Sequence, residues 1–132
     1  MSGTGHTVKS YEEEMQSLND NLVMMGSLTE SQMADAMAAV IKVDKDSVDK
    51  IVKNDGKINE LRSVIDNQIT TVLVKRAPMA VDLRITISTM KISHDLERIG
   101  DLAKSVAKKV KPLPVDLPDE LIGSLRRLGD LV

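Results

Sequence analysis

Apolar residues recur along this chain at helical spacing in three long runs. In the first, from about Thr7 to Lys42, Leu18, Leu22, Met25, Met33, Met37, Val40 and Ile41 mostly keep to one helix face. Ser10 followed by Glu13 matches a capping box, in which each side chain bonds the other residue's backbone N–H. Gly26, in "MMGSLTE", weakens this run by about 1 kcal/mol relative to Ala. In the second run, from about Asp46 to Lys75, Ile51, Ile58, Ile65 and Val72 form a heptad series, with Leu61, Ile69 and Leu73 beside them. The third begins near Pro78, a residue tolerated in a first turn because its missing N–H would be unpaired there. Ile85, Ile92, Ile99 and Val106 repeat the heptad step, flanked by Leu96, Ala103 and Val110. Such stripes predict long packed helices. If the isoleucines face the core, truncating Ile92 or Ile99 to Ala should cost about 2–5 kcal/mol.

Prolines at 112, 114 and 118 mark residues 111–118 as a linker, because proline cannot sit inside a helix. The segment "DELIGSLRRLGDLV" after it reads as a short fourth helix, with Pro118 at its first position. Asp119 and Glu120 suit its positive end, and Leu121, Leu125, Leu128 and Val132 fall on one face. A helix this short is marginal alone and must dock. Gly3 and Gly5 mark residues 1–6 as a flexible N-terminus. The expected fold is therefore all-α: an up-down-up three-helix bundle over residues 7–110, with a short fourth helix at 119–132 after the linker.

Composition narrows the chemistry. A chain of 132 residues with one Tyr and no Phe or Trp must build its core from aliphatic residues and Met, which suits helix-on-helix packing. The absence of Cys excludes disulfides, thiolate metal sites and a cysteine nucleophile. A formal charge of -2 argues against a nucleic-acid binder. No apolar run is long enough to span a bilayer, and the N-terminus has no secretory h-region, so a soluble cytoplasmic protein is expected.

The candidate chemistry is carboxylate. In "SHDLERIGDLA", Glu97 and Asp101 are four residues apart and so neighbours on one helix face. With Ile99 set as the core direction, both acids and His94 point nearly away from it. On the second helix Asp55 and Asn59 form a comparable pair, with Arg62 and Asp66 continuing the edge. Oxygen donors of this kind suit Mg, Ca, Mn or iron rather than a structural zinc. The same spacing also serves an ordinary solvated face, with Arg98 and Lys104 as surface ion-pair partners. Two other classes stay open: a carboxylate di-iron bundle oxidase and a structural coiled-coil partner. The oxidase would use inward Glu-x-x-His motifs, whereas here the order is His94-x-x-Glu97. The serines lack a plausible His partner for nucleophilic catalysis.

The words around these acids add a further indication. "DLERIGDLA", with "KRAPMAVDLRITISTMKIS" upstream and "NDGKINELRSVID" on the preceding helix, closely resembles the PhoU family of bacterial phosphate-uptake regulators, over about Thr7 to Val110. The resemblance implies two tandem three-helix repeats with E(D)xxxD motifs that hold metal ions, of which this chain carries one repeat and the start of the second. It carries the motif over to Glu97 and Asp101 and, with Asn in place of the last Asp, to Asp55 and Asn59. Iron, or Mg, Mn or Zn, would be the bound metal. The implied role is non-enzymatic: negative regulation of phosphate uptake and of phosphate-starvation signalling. The implied partners are the ATPase subunit of the phosphate ABC transporter (PstB) and the sensor histidine kinase PhoR, met at the inner membrane face without insertion. A single repeat exposes the face that a second would cover, so a homodimer is expected.

Overall fold

The computed structural model describes residues 2–114 and 117–131. Its four helices are α1 (Ser2–Lys42), α2 (Asp46–Arg76), α3 (Ala80–Lys108) and α4 (Asp119–Asp130), and there is no strand among the described residues. Each of the first three packs against the other two, whereas α4 touches only α1. This is the expected helical bundle with a short fourth helix.

The helix ends differ from expectation in detail. α1 begins at Ser2, so Ser10 lies inside the helix and the Ser10–Glu13 capping box does not form its start. The helix also passes through Gly26 without a break. At the α1–α2 turn Asp44 supplies the cap: its Oδ1 accepts the backbone N–H groups of Asp46 (3.2 Å) and Ser47 (3.3 Å), and its Oδ2 accepts the Ser47 hydroxyl (2.6 Å). Ser47 Oγ–H, with those N–H groups, holds the Asp44 carboxyl below the usual range. α2 is followed by its C-cap Ala77 in the left-handed region (φ 43°). Pro78 falls in the connection rather than in the first turn of α3, which starts at Ala80 after the extended Met79. Pro118 likewise precedes α4 and is not its first residue.

The core comes in two apolar blocks. Towards the α1–α2 turn, Ala36, Ala39, Val40, Val48, Ile51, Ala103, Ala107 and Val110 pack together, with Met33, Val43 and Leu125 against them. In the other half, Leu18, Met25, Ile58, Ile65 and Ile69 pack with Met15, Leu22, Leu28, Leu61, Met90 and Leu96. The α2 heptad residues Ile51, Ile58, Ile65 and Val72 are all buried, as expected. Leu73 beside them is instead partly exposed. Across the far end of the bundle, Arg76 grips Glu14 of α1 through two hydrogen bonds, of 2.8 and 3.1 Å. The guanidinium holds the Glu14 carboxyl below its ordinary value.

α3 is turned by one residue relative to the expectation. Its buried line is Thr86, Thr89, Ser93, Gly100, Ala103 and Ala107, continued by Val110. The isoleucine stripe sits one position earlier in each heptad: Ile85 and Ile92 are both 47% exposed and Val106 is 39% exposed. The reason is close packing. Small side chains let α3 approach both neighbours, and a Cβ added at Gly100 would lie 3.3 Å from Ile58 Cδ1. The buried hydroxyls are satisfied on their own helix: Thr86 Oγ1–H donates to the Asp82 carbonyl, Thr89 Oγ1–H to that of Ile85, and Ser93 Oγ–H to that of Met90. α4 is turned as well. Leu125 docks and Gly129 lies against Met37, while Leu121 and Leu128 of the expected face are exposed. Val132 lies outside the described residues.

Candidate functional site

Between the two apolar blocks lies a polar layer built from all three long helices. α1 contributes Thr29 and Gln32, 2% and 3% exposed, and α2 contributes Asp55, 1% exposed. α3 contributes the Gly100 carbonyl and Lys104. The Gln32 side-chain amide donates to Asp55 Oδ1 (2.9 Å) and to the Gly100 carbonyl (2.8 Å), so one group ties α1 to both partners. Lys104 Nζ lies 3.0 Å from Asp55 Oδ2, and Asn59 Nδ2–H donates weakly to the same oxygen at 3.4 Å. The hydrogen bond to Asp55 raises the Lys104 pKa above its usual value, and the negative charges of Asp55 and Asp101 add to the effect. Gln32 Oε1 is buried and receives no hydrogen bond. An orphan acceptor of this kind costs about 1–3 kcal/mol.

The layer opens onto a charged strip between α2 and α3. Arg62 is its hub: Nη1–H donates to Glu97 Oε2 at 2.6 Å, Nη2–H donates to His94 Nε2 at 2.9 Å, and Nε lies 3.6 Å from Asp66 Oδ2. An arginine cannot give up its proton, so His94 accepts here with the lone pair of Nε2. Further along, Lys104 Nζ is 3.9 Å from Asp101 Oδ1, while Arg98 pairs only with Asp95. The expected residues are thus placed unequally. Glu97 is mostly covered, Asp101 is half exposed, Asn59 is exposed, and Asp55 is in the core rather than on the edge. None of them lines the groove of about 570 Å³ between α1 and α2, where Ser10, Ser17, Gln68 and Thr71 lie.

A family model described as the PhoU domain matches residues 22–110, more than half of the chain. The chain belongs to the PhoU family. Among relatives, it is 40% identical over 130 residues to a phosphate-specific transport system accessory protein PhoU homolog of Caulobacter vibrioides, covering 98% of this chain and 56% of that protein. It is 38% identical over 126 residues to the homolog of Xylella fastidiosa, covering 96% of this chain and 52% of that one. Among solved structures it resembles the crystal structure of PhoU from Pseudomonas aeruginosa, with a TM-score of 0.80 and 31% identity over 91% of this chain and 58% of that chain. The chain spans about half the length of the relatives it matches.

The candidate donors at this strip are already engaged by side chains of the chain itself. Both Asp55 oxygens already accept N–H donors, and Glu97 is held by Arg62. Asn59 brings no charge and uses its amide N–H towards Asp55. Among the described residues no three His, Asp or Glu side chains converge in a way that could hold a metal ion. A hard divalent cation completes its shell with water but needs carboxylate oxygens free to hold it. As arranged, these residues do not fit one. The sequence reading missed Gln32 and the burial of Asp55. The signal was there: Asp55 stands between Ile51 and Ile58 at four-and-three spacing, on the apolar stripe itself.

Proposed function

We propose that this chain regulates phosphate uptake as a non-enzymatic module that docks on the phosphate transport machinery. The observation that carries the reading is family membership together with identity over nearly the whole chain to proteins named as phosphate-specific transport accessories. Under this reading it restrains uptake and phosphate-starvation signalling by binding the transporter's ATPase subunit, PstB, and the sensor kinase PhoR. It would do so from the cytoplasm. No helix among the described residues is long and apolar enough to cross a membrane, which accords with action through partners. Regulation of this kind works only as far as one state of the partner is bound better than the other.

The surface suited to docking is the outer face of α3, where Ile85, Ile92 and Val106 are joined by exposed Val81 and Leu102. Exposed apolar side chains gathered on one face mark contact sites. A homodimer through the same face is part of the reading. The test is uptake of labelled phosphate by cells that lack their own PhoU and express this chain. Uptake and alkaline phosphatase output are expected to fall towards the level of the undisturbed parent. Full derepression, with the folded chain present at parental amounts, would sink the proposal.

A further inference from the structure

We infer that Lys104 and Arg62 are built-in counter-ions that take the place of a metal at this acidic strip, so that the module is held together without one. Lys104 carries the argument. Its ammonium stands between a carboxylate of α2 and a carboxylate of α3, 3.0 Å from Asp55 and 3.9 Å from Asp101. That is the bridging position a shared cation would need to join the two helices. Arg62 does the same from the other side, reaching from α2 to Glu97 and His94 on α3.

Three physical points favour the tethered cations. First, the buried carboxylate is spent: Asp55 accepts from Gln32, Lys104 and Asn59, and among the described residues the only buried acceptor left in the layer is the Gln32 amide oxygen. Second, the charge is partly met. The four carboxylates at positions 55, 66, 97 and 101 face two fixed cations, and Asn59 withholds a fifth negative charge. Fewer anionic ligands weaken divalent-ion binding. Third, an ammonium on the chain is always present at high effective concentration, whereas a free ion must pay for its capture in lost freedom and in the expulsion of Lys104.

The experiment is titration calorimetry of the purified full chain with MnCl₂, run beside Lys104→Gln and Arg62→Gln. Amide signals of residues 97–104 are followed by NMR for paramagnetic broadening. For the native chain, no binding tighter than millimolar and a melting temperature unmoved by EDTA are expected. Lys104→Gln is expected to bind Mn²⁺ at least tenfold more tightly, with broadening confined to the strip. Arg62→Gln, whose side chain is partly solvated and whose loss does not threaten the core, is expected to gain affinity by a smaller factor. Micromolar, stoichiometric binding by the native chain, abolished by Glu97→Gln with Asp101→Asn, would overturn the inference. So would variants that fold yet bind no better than the native chain, because the cations would then not be what excludes the metal. These readouts involve neither phosphate nor partner, so they fail separately from the regulatory reading.

Discussion

Ile58→Ala is expected to lower the unfolding free energy by about 2–5 kcal/mol, and Ile92→Ala by less than about 1 kcal/mol. The two isoleucines hold equivalent-looking heptad positions, yet Ile58 is 0% exposed and Ile92 is 47% exposed. Removing the Ile58 side chain empties the space against Gly100, whose missing Cβ already lets α2 and α3 close to contact distance. A cavity walled by long helices cannot collapse freely, which places the loss in the upper part of the range for such truncations. Ile92 gives up only half of a contact surface and leaves no void. Urea denaturation followed by circular dichroism compares the two directly. Equal losses would return α3 to the orientation that its isoleucine stripe predicts.

Asp55→Ala is expected to cost about 2–4 kcal/mol, far more than Glu97→Ala at about 0–1 kcal/mol. The difference lies in burial. Asp55 is the anion of a layer sealed between two apolar blocks, and its loss strips Gln32 of an acceptor and Lys104 of its nearest counter-charge. Lys104 keeps some access to solvent, which moderates the penalty. Glu97 faces an Arg62 that is about a third exposed and can turn to water. The pair also has a pH signature. The folded-state pKa of Lys104 is raised, so its contribution is fully present below the unfolded lysine value of about 10.4. It is lost as pH rises through the higher folded value. Stability measured between neutral and strongly alkaline pH is therefore expected to hold and then fall in the native chain. In Asp55→Ala that alkaline step should shrink, and an unchanged step would refute the pairing.

The fold was legible where hydrophobicity and packing coincide. On α2 the most apolar line is also the buried line, so reading Ile51, Ile58, Ile65 and Val72 as core gave the helix its correct face. On α3 the two separate. Its strongest apolar heptad lies beside the contact line, and the contact itself is made by Thr, Ser, Gly and Ala, which are small, with the Thr and Ser hydroxyls bonded to their own backbone. Hydropathy cannot see that preference. Of the site, the acids were found, but not what they touch. Glu97 and Asp101 stand out because they share a face at a spacing of four, whereas Gln32, 23 positions before Asp55, becomes its partner only when α1 folds back. Lys104, read as a surface ion-pair partner, became the central cation because it reaches across helices rather than along its own. The α4 face was misread for a similar reason, since docking near Met37 needs Gly129 as well as Leu125.

On the proposed reading, a docking module must bind what it regulates. The most direct measurement is therefore the affinity of the purified chain for the transporter's ATPase subunit, by biolayer interferometry at physiological salt with circular dichroism confirming the helical fold. Saturable binding in the micromolar range or tighter, insensitive to EDTA, is the result expected of a phosphate-transport regulator held together by its own cations. A folded chain that shows no binding at about 100 μM, weaker than ~5.5 kcal/mol of association, would contradict it.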